Sequence, residues 1–99
     1  MHNLELTQKA QSDYQKIGRY LMGEWGIASV IKFRKKFNLK LKRIVGMPGI
    51  GTIHYEKGLL FREIPLTKQN TLVYRVKEDK IIIYAIFDNR QNPIKKYQF

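Results

Sequence analysis

Cysteine is absent from the 99 residues, which rules out disulfides, thiolate nucleophiles and cysteine-based zinc or iron–sulfur sites together. Histidine is scarce: His2 lies at the N-terminus and His54 in the second half. There is no H-x-x-x-H spacing and no acidic cluster to complete a metal cage. No metal and no cofactor are therefore expected. Long apolar stretches are missing too. The longest, Ile81-Ile82-Ile83-Tyr84-Ala85-Ile86-Phe87, is far too short to cross a bilayer, and the first six residues have no apolar run of signal-peptide length. The expectation is a soluble cytoplasmic protein. Negative charge is the fourth scarcity. From residue 25 to residue 55 no Asp or Glu occurs, whereas Lys32, Arg34, Lys35, Lys36, Lys40, Lys42 and Arg43 crowd together.

That imbalance helps give a formal charge of +11, a long-range field able to draw in polyanions or acidic protein segments before short-range contact forms. Residues 1–50 hold 10 Lys/Arg against 3 Asp/Glu and residues 51–99 hold 9 against 5, so this is not a neutral body with a basic tail. Hydrophobic content of 43% argues for a folded core, and the length suits one domain over residues 1–99.

Periodicity divides the chain in two. Asn3 to Leu6 alternates and reads as an edge strand. Thr7 offers an N-cap hydroxyl, after which Ala10, Tyr14, Ile17, Leu21 and Trp25 recur at helical spacing, and Gly23 and Gly26 bend or end that helix. Trp25 is expected to pack where helices and sheet meet, so that truncation to alanine costs about 3–5 kcal/mol. A second helix places Ile27, Val30, Ile31, Phe37, Leu41, Ile44 and Val45 on one side and most of the lysines on the other. Arg34 is out of place on the apolar side and Leu39 on the basic side. Beyond the turn-rich Gly46-Met47-Pro48-Gly49-Ile50-Gly51 the period becomes two. Strands are expected at 52–56, 59–66, 71–77 and 80–88, joined by short turns at Lys57-Gly58, Lys68-Gln69-Asn70 and Glu78-Asp79. The glycines between helix and strand run in the reverse order from a phosphate cradle, and turn formation explains them. The fold class is α+β, ordered β-α-α-β-β-β-β: a helical hairpin packed on a twisted, mainly antiparallel sheet.

Arginines inside or beside strands are the most informative polar residues. Arg62, Arg75 and Arg90 each offer a planar fork suited to phosphate or carboxylate, and on neighbouring strands they could converge on one anion. Pairing with Glu63, Glu78 or Asp88 is the plainer alternative for each. Tyr97, beside Lys95 and Lys96, could move a proton or stack on a base, or simply pack its ring.

The blocks Leu59-Leu60-Phe61-Arg62-Glu63-Ile64-Pro65-Leu66, Leu72-Val73-Tyr74-Arg75-Val76 and Ile81 through Pro93 carry a family likeness, with Trp25-Gly26 and Pro48 at matching places. Over nearly its whole length the chain resembles the RelE/ParE superfamily of type II toxin–antitoxin toxins. The resemblance implies a cognate antitoxin as partner and one of two targets. A ParE-like toxin would inhibit DNA gyrase by binding, with Lys32, Lys36, Arg43, Arg62 and Arg90 as target-binding residues. A RelE-like toxin would cut ribosome-bound mRNA without a metal, with Arg62, Arg75, Arg90 and Tyr97 in catalysis and His54 or Lys57 standing in for strand lysines. Arg62 in an R-x-x-P context looks ParE-like. The RelE-like arginine before the L-V-Y block is met only by Lys68, and Tyr97 is displaced by a residue, so the ParE-like branch is favoured. A plain nucleic-acid-binding domain using the second helix ranks last.

Overall fold

A computed structural model describes residues 3–99; His2 lies outside the described residues. Strand β1 (Asn3–Leu6) leads into helix α1 (Gln8–Trp25) and helix α2 (Ile27–Gly46). A 3₁₀ turn at Pro48–Ile50 follows, then β2 (Thr52–Glu56), β3 (Leu59–Pro65), β4 (Asn70–Lys77) and β5 (Lys80–Asp88). The five strands form one sheet in the order β1-β5-β4-β3-β2, antiparallel except for the parallel β1–β5 pair. The expected element order and sheet are borne out, with strand ends within a residue of expectation. No described helix is long and apolar enough to cross a membrane.

Alternation decides which strand residues meet the helices. Ile64, Leu72, Tyr74, Ile81, Ile83 and Ile86 form the core with Ala10 of α1 and Phe33, Phe37 and Ile44 of α2. The opposite face carries Phe61, Val73 and Ala85, on which Tyr84 and Tyr97 pack. Strand β5 is thus covered on both faces, as its continuous apolar run suggested.

Thr7 and Asp13 lock α1 to an irregularity in β5. Pairing runs Val73 to Ala85 and then Tyr74 to Ile83, leaving Tyr84 as the extra residue of a bulge. The bulge leaves backbone groups without ladder partners, and α1 supplies them. The Thr7 hydroxyl donates to the Tyr84 carbonyl (3.1 Å) while accepting from the Ala10 N–H as the helix N-cap. Asp13 Oδ2 accepts from the Ile86 N–H at 3.0 Å. Replacing Asp13 by alanine strands that donor beside the core and lowers stability by about 1–3 kcal/mol, read in urea denaturation. Asp13→Asn keeps an acceptor and recovers most of the loss.

The two helices turn on a single residue. Gly26 has φ 86°, which glycine adopts without strain, and its N–H closes α1 onto the Leu21 and Met22 carbonyls. Trp25, just before it, is 73% exposed, which corrects the expectation of a buried packing role. The apolar face of α1 meets the core as far as Leu21 and no farther, so the spacing that includes Trp25 continues past the core it predicts. Similarly, α2 buries Val30, Phe33, Phe37 and Ile44, while Ile27 and Ile31 are exposed. Phe33, absent from the expected apolar side, takes their place.

Tyr74, fully buried, fixes the entry to β2. Its hydroxyl donates to the Pro48 carbonyl (2.8 Å) and accepts from the Gly51 N–H (2.9 Å). Arg62 reinforces the same turn, its Nη1 donating to the Gly49 and Gly51 carbonyls at 3.1 and 2.8 Å.

Candidate functional site

Cross-strand register separates the arginines that alternation alone could have placed together. Arg62 pairs with Tyr74 and so faces the helices; Arg75, one residue on, faces the other side. There its guanidinium lies 5.7 Å from the centre of the Phe61 ring, and Nε reaches the Leu60 carbonyl at 3.4 Å. Arg90 sits past the end of β5, exposed, gripping Asp88 with Nε and Nη2 at 3.0 and 2.8 Å. That bond holds the Asp88 carboxyl below its usual range and pushes the arginine pKa up further, with the Tyr20 hydroxyl contributing less. Convergence of Arg62, Arg75 and Arg90 on one anion is therefore corrected: one braces a turn, one packs on the outer face and one is neutralised locally.

Two other groupings emerge. The outer face of the sheet carries the first. His54 on β2 is opposite Phe61 on β3, and its ring stacks on Tyr97 with centroids 4.4 Å apart. The His54 Nε2 lies 2.9 Å from a Glu56 oxygen. Tyr97 is presented by the 3₁₀ turn Pro93–Tyr97, whose first N–H groups are capped by Asn92. Its hydroxyl donates to Glu63, and Lys96 Nζ holds the other Glu63 oxygen at 3.0 Å. Glu63 thus anchors the C-terminal segment, a role the sequence did not single out. Here the two carboxylates, Glu56 and Glu63, stand among the groups that a phosphate would have to approach.

Burial and the Glu63 carboxylate both hold the Tyr97 phenol well above its ordinary value, and burial raises the Tyr74 phenol against the opposing pull of Gly51 and Arg62. The neutral phenols are what the fold favours. Their contribution to stability is intact below pH 10.0 and is lost only as pH climbs beyond it. In a phenolate absorbance titration, Tyr74 and Tyr97 are expected to ionise above the ordinary tyrosine value of 10.0. Glu63→Gln advances one of them, but only part of the way, since burial remains.

The second grouping is a groove of about 810 Å³ between the helical hairpin and the ends of β3, β4 and β5. Its floor is apolar, from Ile17, Leu21, Phe33 and Ile86, and eight Lys or Arg side chains line it against two acids, Asp13 and Asp88. Helical spacing explains most of the rim: Lys9 and Lys16 are seven apart on α1, and Lys32 and Lys36 are four apart on α2. The far wall is set by hydrogen bonds between two loops. Thr67 caps the turn before β4, and the Asn89 N–H donates to the Gln69 carbonyl at 2.7 Å, which brings Lys68 beside Arg90. Both acids are already engaged, Asp13 with Lys9 and Asp88 with Arg90. Among the described residues, Lys16, Lys32, Lys36, Lys68 and Lys95 have no ion-pair partner, so the groove keeps a strong positive field. Of the expected target-binding residues, it brings together Lys32, Lys36 and Arg90. Arg43 stays outside on the last turn of α2, and Arg62 lies at its own turn. Lys9, Lys16 and Lys95 went unrecognised as groove residues, although their helical or terminal clustering was visible.

Among the described residues no three His, Asp or Glu side chains come together in a way that could hold a metal ion.

Known proteins share this architecture. In solved structures the chain is similar to the chromosomal ParDE toxin–antitoxin system from P. aeruginosa, at 24% identity over 89% of this chain and 96% of that one, with a TM-score of 0.73. It is also similar to the YoeB dimer from Staphylococcus aureus, 26% identical over 86% of this chain and 93% of that one, TM-score 0.59. A metal-bound toxin from Helicobacter pylori shares the fold at 18% identity, covering 91% of this chain and 97% of that one, TM-score 0.61. No curated protein matches the chain. The family described as the ParE toxin of the type II toxin–antitoxin system, parDE, matches residues 4–93, most of the length. The chain belongs to that family of toxins.

Proposed function

We propose that this toxin acts by binding, with DNA gyrase as its target and the cationic groove as the contact surface, and that a cognate antitoxin restrains it in the cytoplasm. One observation carries this reading: the free cations gather over an apolar floor, while the residues a nuclease would need are dispersed. Stabilising a pentacoordinate phosphate requires donors aimed at one point. Here Arg62 and Arg75 lie on opposite faces, Arg90 is engaged by Asp88, and Tyr97 is tied to a carboxylate. An apolar floor with a basic rim instead suits an acidic protein segment, steered by charge and held by burial.

RelE-like cleavage of ribosome-bound mRNA is the second reading. It is supported by the stacking of His54 on Tyr97, which places two proton-transfer groups side by side. The two readings separate in one comparison. Purified toxin is added to a gyrase supercoiling reaction and, in parallel, to ribosomes translating a defined mRNA. Inhibited supercoiling with intact mRNA is the expected result. Cut mRNA that depends on Tyr97, with gyrase unaffected, overturns it.

A further inference from the structure

Aromatic rings crowd the outer face of the sheet. Phe61 meets Tyr84, Tyr97 and Phe99 edge-on, with ring centres 5.3, 5.1 and 5.8 Å away, and His54 lies flat on Tyr97. Cations stand at the margin of these rings. Arg75 lies over Phe61, Lys96 lies 5.4 Å from the centre of the Phe87 ring, and strand alternation turns Lys77 to the same side as Arg75. Rings interleaved with Lys and Arg are the composition that holds a single strand of nucleic acid, the rings stacking on bases and the cations meeting the backbone.

The donors such a strand would need are already taken. Glu63, two residues beyond Phe61 on β3 and on the same face, holds Lys96 Nζ with one oxygen and the Tyr97 hydroxyl with the other. The Glu63 and Lys96 side chains are each only 21% exposed, so salt screens their pairing weakly. Burial and Glu63 keep the proton on the Tyr97 phenol, and the hydroxyl goes on donating. A carboxylate gripped by an ammonium and a hydroxyl is bound as a phosphate oxygen would be. Glu56 is the lesser acid on this face, bonded to His54 alone and more open to water. We propose that Glu63 is an internal plug: its carboxylate occupies the anion position between Lys96 and Tyr97 and so excludes the backbone of a single-stranded nucleic acid from the outer face. The turn Pro93–Tyr97 is the other half of the plug, since it carries both donors. This agrees with action by binding and does not rest on gyrase being the target.

Glu63→Gln removes the charge and keeps an acceptor of the same shape for Tyr97. The His54 ring protons, stacked on Tyr97 and outside the cationic groove, report on this face by nuclear magnetic resonance. Their position before titration, set by the Tyr97 ring, checks that the C-terminal turn is still seated in the variant. The probe is an oligothymidylate, which has no 2′-hydroxyl and is not cleaved. In the parent the His54 signals stay in place as the strand is added. In Glu63→Gln they move saturably, with affinity at this face raised by about tenfold or more. Glu56→Gln stays closed, since Lys96 and Tyr97 are still engaged. Adding Lys96→Gln to Glu63→Gln removes most of the gain, because the freed ammonium is what meets the phosphate; a merely loosened segment would keep it. The proposal is overturned if the His54 signals respond in the parent as they do in Glu63→Gln, or if they respond in neither. It is equally overturned if Glu56→Gln opens the face as fully, or if the gain survives the loss of Lys96.

Discussion

On the reading proposed above, toxin carrying both Lys32→Glu and Lys36→Glu is expected to lose its arrest of growth, and its association with gyrase at low salt to slow by about one to two orders of magnitude. The two lysines are one turn apart on α2, exposed and without ion-pair partners, so reversing them changes the field at the groove mouth by four charges without touching the core. Dissociation changes less, because the apolar floor is unaltered. Arg43→Glu serves as the contrast. It makes half the change in charge, outside the groove, and its effect is smaller than half that of the pair. Raising the salt narrows the gap between parent and variant, since screening removes what the lysines contribute. Equal toxicity in the parent and the double variant would show that the groove is not where the target binds.

A single methyl group at residue 51 has the largest effect expected on stability. A Cβ there would lie 2.8 Å from the Tyr74 hydroxyl oxygen, 2.9 Å from the adjacent ring carbon and 3.0 Å from Arg62 Cβ. Tyr74 cannot retreat: it is fully buried, and its hydroxyl is fixed by Pro48 and Gly51. The backbone of Gly51 is ordinary extended chain, φ −74°, so the requirement is for space alone. Gly51→Ala therefore overpacks the site and breaks the Tyr74 hydrogen bonds, costing about 3 kcal/mol. For a chain of this size that lowers the melting midpoint by about 15 °C. Gly49→Ala, where the nearest atom is an Arg62 nitrogen at 3.8 Å, is close to neutral and isolates the cause.

These two sites differ in how far the sequence revealed them. The lysines of α2 are conspicuous because helical spacing turns composition into a surface, and surface charge needs no knowledge of the interior. The Gly51–Tyr74 contact spans 23 positions and depends on sheet register, which local pattern does not encode. Element order and type were legible for a similar reason: a change of period from 3.6 to 2 is a local signal. Trp25 shows the limit of that signal, since periodicity tells which way a side chain points but not whether anything lies there to cover it. The arginines show another. Alternation assigned Arg62 and Arg75 to faces of their own strands, and only the pairing of Arg62 with Tyr74 reveals that those faces are opposite. Glu63 was legible as a charge, yet its hold on Tyr97 and Lys96 joins residues more than thirty positions apart.

The parallel pairing of β1 with β5 sets a condition on how the toxin comes into being. Asn3 is matched with Lys80, and Thr7 reaches the Tyr84 carbonyl 77 positions away. Closing so long a stretch of chain is entropically unfavourable until the contacts that reward it exist. During synthesis the helical hairpin is made first, with its apolar face and its lysines, but the strands on which it must rest are still to come. Thr7 caps α1 locally, but its bonds to Ile83 and Tyr84 and the Asp13 lock on Ile86 must wait until residues 83–86 leave the ribosome. The nascent hairpin is thus a basic, amphipathic segment awaiting its sheet.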